Sequence, residues 1–114
     1  MERRRVVITG MGIICPTGNN VQEAWENAAA GKTGIGTIQR FDTSDLEIHF
    51  GGEVKDFDPE ALLGRREARR TDRVTQLALY AARQAVDDAK LEVTEENRYD
   101  IACVVGSGIG GLPM

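Results

Sequence analysis

The sequence predicts an α/β chain whose strands lie in a parallel sheet. Residues 5–9 (RVVIT) and 101–105 (IACVV) carry that expectation. Both runs are short and β-branched, and they lack the polar alternation of a half-exposed strand, so they read as strands buried on both faces. Each ends in a glycine turn, GMG at 10–12 and GSGIGG at 106–111. Between them lie stretches with apolar residues at helical spacing.

Taken in order, 5–9 is the first strand and Gly10-Met11-Gly12 its turn. Asn20 is placed to cap a helix over 21–30, accepting from the third helical amide while Glu23 reaches back to it. Ala24, Trp25, Ala28 and Ala29 form its apolar face, and Gly31 stops it. Residues 32–57 are punctuated by Gly and Asp. Thr43-Ser44-Asp45 reads there as a turn, with 48–50 and 53–54 as short exposed extended pieces. Asp58 followed by Pro59 opens a short helix over 59–63 that ends near Gly64.

Asp72 is a cap for a longer helix. Val74, Leu77, Ala78, Ala81, Ala85, Val86 and Ala89 form its apolar stripe over 74–89. So many alanines predict close packing against a neighbouring element. Glu95-Glu96 suits the start of one more short helix, although Thr94 and Asn97 make no complete capping box. The order is therefore strand, helix, extended piece, helix, long helix, strand. Two strands do not complete such a sheet, so its other strands are expected from a longer chain or a second subunit. The halt at Leu112-Pro113-Met114, directly after a glycine loop, points the same way.

Composition narrows the function. The chain has 114 residues and a net charge of −4, which argues against a nucleic-acid binder. Its apolar runs are far too short for a bilayer and it shows no signal peptide, so the cytoplasm is the expected location. Cys15 and Cys103 have no CxxC spacing, which suggests neither a disulfide scaffold nor a metal site. Cys15 lacks an evident base, since the one histidine, His49, lies in a weakly patterned segment. Cys15 therefore reads as a packed thiol, Cys103 as core and His49 as a surface or rim residue.

Two features invite a sharper reading. GSGIGG has the glycine spacing of a dinucleotide turn, but that fingerprint also needs a helix directly after it. Gly10-Met11-Gly12 lacks the third small residue, and Pro16-Thr17-Gly18 interrupts the helix that should follow. A short-chain reductase would begin TGxxxGxG; Thr9-Gly10 fits, but Ile14 stands where a glycine is required. The second feature is RREARRTDR at 65–73, five arginines against Glu67 and Asp72. Arg66, Arg69, Arg70 and Arg73 recur at three and four residues, so one helical face could present them to an acidic partner. The competing reading is a solvated face paired with its own carboxylates.

The combination of RRVVITGMG, PTGNNVQEAWENAAAGKTGI, FDTSD, VKDFDPE, RREARRTDR and VVGSGIGG resembles the front segment of the β-ketoacyl-acyl carrier protein synthases. The type II elongating enzymes of bacterial fatty acid synthesis are the most similar. The resemblance implies a thiolase-like fold of two similar halves in five layers, α-β-α-β-α, acting as a homodimer. Residues 1–114 would then be the front portion of the N-terminal half, an incomplete domain that is inactive alone. It implies a decarboxylative Claisen condensation between an acyl-enzyme and malonyl-acyl carrier protein, with no cofactor. The family's nucleophilic Cys and its two His match no position here, so no catalytic residue is assigned to this chain. Arg66, Arg69 and Arg70 match residues that contact the acidic carrier protein. Ile109 matches an isoleucine that borders the acyl tunnel. Two alternatives stand beside this reading: a polyketide-type ketosynthase or chain-length partner, and, from another class, an NAD(P)-dependent short-chain reductase.

Overall fold

The structure, a computed structural model, describes residues 3–111. The terminal Leu112-Pro113-Met114 lies outside the described residues. The elements are helix α1 (Val21–Ala29), strands β1 (Ile35–Thr37) and β2 (Phe50–Gly52), and helices α2 (Pro59–Leu63), α3 (Arg65–Ala68) and α4 (Arg73–Ala89).

The helix ends follow from their caps. Asn20 is extended and its Oδ1 accepts from Glu23 N at 2.9 Å. Glu23 reaches back one residue further than expected, to Asn19 N at 2.8 Å. Gly31, at φ 69°, closes α1 by donating to Ala28 O while Lys32 N donates to Asn27 O, the paired bonds of a left-handed stop. Asp58 caps α2 through Glu60 N at 2.9 Å with Pro59 at the first helical position. Asp72 caps α4 through Thr75 N at 2.9 Å.

The expected parallel sheet is not formed among the described residues. What pairs instead is a two-stranded antiparallel ribbon, with Ile35 opposite Gly52, Gly36 opposite Gly51 and Thr37 opposite Phe50. Ile38 N extends it by donating to His49 O. The Glu53 carboxylate then closes its end, accepting from Gln39 N at 2.9 Å and Arg40 N at 3.0 Å. Residues 53–54 are therefore the anchor beyond the strand and not a strand themselves.

Residues 5–9 and 101–105 run without a ladder, and their apolar side chains face solvent: Val6 is 91% exposed and Val104 93%. Cys103, expected in the core, is exposed with them. β-branching favours an extended backbone, but a strand is made by neighbours in hydrogen-bonding register and by layers over its faces. Neither run has such a neighbour here. Residues 95–100 form turns and not a helix. Asn97 Oδ1 takes the Thr94 amide at 2.7 Å, holding a single turn that goes no further.

A close seam joins residues 10–19 to α4. A Cβ on Gly12 would overlap Ala81 O, and one on Gly10 would overlap Ala85 O and reach Ala89 N at 2.5 Å. The alanine-rich stripe thus packs closely, as its composition predicts. Gln84 spans the seam, its Nε2 donating to Ile13 O at 3.0 Å and Asn19 O at 2.9 Å. Asp88 Oδ2 accepts from Met11 N at 2.9 Å.

The interior is otherwise open. Among the described residues only Ala24 and Ala68 are buried apolar side chains, and Trp25 of α1 is 73% exposed. The accessible surface is 9865 Å², against roughly 6,200 Å² for a compact monomer of this mass. The radius of gyration is 17.4 Å, against roughly 13 Å for a compact chain of this length. No helix among the described residues is long and apolar enough to cross a membrane.

Candidate functional site

The arginine segment does not form one continuous helical face. α3 ends at Ala68 and α4 starts at Arg73, with a turn between them. Asp72 enforces the break, because a residue that caps the next helix must leave the helical conformation; its ψ is 165°. Arg66, Arg69 and Arg70 are exposed on α3 and the turn behind it. Arg73 points elsewhere: its guanidinium lies 5.5 Å from the Phe57 ring centroid and donates to Val54 O at 3.4 Å. The expected four-arginine face is therefore Arg66 on α3, Arg69 and Arg70 on the turn behind it, and Arg73 as a packing residue.

The turn is tightly tied. The carbonyl of Glu67 accepts from Arg70 N at 3.0 Å, Thr71 N at 3.1 Å and the Thr71 hydroxyl at 2.9 Å. From α4, Gln76 Nε2 donates to Ala68 O at 2.9 Å and Thr71 O at 3.0 Å. The arginines' charges are nearly free by comparison. Arg70 approaches Glu67 at 3.9 Å with both side chains exposed, a pair that contributes little. Among the described residues Arg66 and Arg69 make no ion pair within 4.0 Å.

The glycine loop is a bare turn. Ser107 Oγ accepts from Gly110 N at 2.8 Å, Gly110 has φ 78°, and Ile109 is 79% exposed at the bend. Gly111 abuts the Asp72 carboxylate so closely that a Cβ there would overlap it. The loop's end therefore meets the cap of α4, two residues beyond Arg70. A phosphate cradle needs a helix N-terminus that is open to an anion. This one is filled by a carboxylate, which hydrogen bonds from Thr75 hold below the usual carboxylate range. The N-terminus of α4, which precedes the loop in the chain, therefore offers no open anion site of its own.

The remaining candidates stay apart. Cys15 is half-buried, its Sγ 3.1 Å from Thr17 Oγ1, and it sits in a turn closed by Cys15 N to Gly18 O at 2.9 Å. The Thr17 hydroxyl is the main cause of a thiol pKa below the ordinary value. His49 is exposed and pairs with Thr43 Oγ1 at 3.1 Å, so it gives Cys15 no base. No group of three His, Cys, Asp or Glu among the described residues could hold a metal ion.

Sequence reasoning did not single out Gln76 or Glu53. Gln76 stands outside the apolar stripe of α4, and nothing in its neighbours marks it as buried. Glu53 lies in a stretch without periodicity.

Comparison with known proteins gives a consistent picture. The family model for the beta-ketoacyl synthase N-terminal domain matches residues 3–113. The 3-oxoacyl-[acyl-carrier-protein] synthase 2 of Synechocystis sp. is 50% identical over 114 residues, covering 100% of this chain and 27% of that protein. The protein of the same name from Coxiella burnetii is 46% identical over 113 residues, covering 99% of this chain and 27% of its own length. That from Staphylococcus aureus is 49% identical over 111 residues, covering 97% and 27%. Among solved structures, the ishigamide ketosynthase/chain length factor superposes with a TM-score of 0.73 at 41% identity, covering 80% of this chain and 23% of that one.

Proposed function

This chain belongs to the beta-ketoacyl synthase family, and from that premise we propose that it is the front segment of a 3-oxoacyl-acyl carrier protein synthase. The observation that carries the proposal is 50% identity to such a synthase along all 114 residues. The whole protein would perform fatty acid elongation by decarboxylative Claisen condensation. An acyl group passes from its carrier thioester to an enzyme thiol, with the carrier thiol leaving. Malonyl-carrier then loses CO2, and the resulting carbanion attacks the acyl thioester and expels the enzyme thiolate.

Residues 1–114 are proposed as the front portion of the N-terminal half of a five-layered thiolase-like fold, in a cytoplasmic homodimer. The large excess of accessible surface supports this, because the apolar runs at 5–9 and 101–105 have faces for further layers to cover. This segment supplies docking and pocket residues and no nucleophile. Arg66, Arg69 and Arg70 are proposed to bind the acidic carrier protein, since planar guanidinium groups pair with surface carboxylates in a fixed orientation. Ile109 is proposed to border the acyl chain, where the rotamer of one apolar side chain can limit its depth.

A second reading has its own support, the likeness to a ketosynthase/chain length factor. In that case the protein is a polyketide-type ketosynthase or its non-condensing partner. Incubation of the full-length protein with acyl- and malonyl-carrier separates the two. Release of CO2 with a 3-oxoacyl-carrier product supports the condensing enzyme. Product that forms only when a second synthase subunit is added supports the polyketide-type ketosynthase or its partner.

A further inference from the structure

Gln76 is 8% exposed and belongs to α4, yet its side chain serves the neighbouring turn. Its amide nitrogen donates to Ala68 O at 2.9 Å and Thr71 O at 3.0 Å, and lies 3.5 Å from the Thr71 hydroxyl. Those two carbonyls bracket Arg69 and Arg70 on either side. Ala68 O is one of the carbonyls that the end of α3 leaves without a helical partner. A buried amide is costly unless its donors are satisfied, so both groups are held where they meet.

We infer that Gln76 is a positioning residue for carrier-protein binding: by stapling Ala68 O to Thr71 O it presents Arg69 and Arg70 in one fixed orientation. This rests on the docking reading of those arginines. The reasoning is energetic. Arg69 has no ion pair among the described residues, and the pair of Arg70 is long and exposed, so local charges do not hold the turn. A partner that engages two guanidinium groups at once binds more weakly if it must first order the backbone between them. Gln76 removes that cost before the encounter and carries no charge of its own.

The test uses the full-length enzyme and compares KM for an acyl group on its carrier protein with KM for the same acyl group on a carrier-free thioester. Gln76→Met keeps length and loses both donors. Gln76→Leu also loses both donors at similar volume, leaves the bonds of Thr71 untouched, and stands in if the first variant folds poorly. Each is expected to raise the carrier to carrier-free KM ratio by roughly three- to tenfold, the size of one net hydrogen bond. The salt dependence of KM should be retained, because no charge is lost. A ratio that stays constant, or an equal loss with both substrates, overturns the inference. Arg69→Glu with Arg70→Glu is run beside them. It should raise the ratio further and flatten the salt dependence. If that pair leaves the ratio unchanged, the docking reading itself fails and takes this inference with it.

Discussion

Ile109 is the residue whose proposed role is most easily measured. It sits at the bend of a loop whose glycines leave it room, and nothing among the described residues packs over it beyond a fifth of its surface. An aromatic ring there would project further into any cavity formed above the loop. Ile109→Phe in the full-length enzyme is expected to shorten the longest acyl chain accepted, lowering kcat/KM for long acyl-carriers by at least about tenfold relative to short ones. Mass spectrometry of the products reads this directly, and an unchanged chain-length profile removes Ile109 from the pocket. Cys15 and His49 show the opposite case. Each finds a threonine hydroxyl instead of the other.

Elements that carry their own start and stop signals were legible in the sequence. Asn20 with Gly31, Asp58 with Gly64, and Asp72 each fix a helix end by local hydrogen bonds, so those boundaries fall within a residue of expectation. The β1–β2 ribbon was only half legible. IGT and FGG contain three glycines in six residues and leave no alternation to read, and the end of their ribbon is closed by Glu53 from outside both strands. The runs at 5–9 and 101–105 were read from composition, which records the layers a strand is suited to and not its partners. Of the candidate site, the arginines were legible as a cluster. The break of their face at Asp72 followed from a cap already identified, but the clamp by Gln76 did not.

Two predictions belong to these elements. Gly12→Ala puts a methyl against the backbone of Ala81, where neither side can yield cheaply, and should destabilise the full-length protein by about 1–3 kcal/mol. An unchanged denaturation midpoint would show that the seam on α4 is looser than described. The cap of α4 gives a pH dependence. The carboxyl of Asp72 is depressed by its bonds from Thr75, so its charged form is favoured by folding. That contribution is fully present above the unfolded value of about 3.9 and is lost as pH falls through the depressed one. Asp72→Asn keeps a capping oxygen without the charge. The stability gap between wild type and variant should therefore narrow as pH falls below about 4, and urea midpoints measure it. A constant gap would place the effect elsewhere.

The molecule as a whole is an open framework. Its excess of accessible surface over a compact monomer is roughly 3,700 Å², well above the ~800 Å² that each partner contributes to a standard-size interface. The apolar runs, Trp25 and a groove of about 660 Å³ beside Met11 and Ile13 all contribute to it. This fits a segment that the rest of a condensing enzyme covers, in keeping with relatives of which the matched region is 27%. It also fits the proposed division of labour, in which this part would receive the carrier and shape the acyl path while the reacting thiol would lie elsewhere. Acyl transfer locates that thiol. The full-length protein is incubated with acyl-carrier in the absence of malonyl-carrier, and the acylated peptide is identified by mass spectrometry. The label is expected on a cysteine outside residues 1–114, and a thioester on Cys15 or Cys103 would contradict the account.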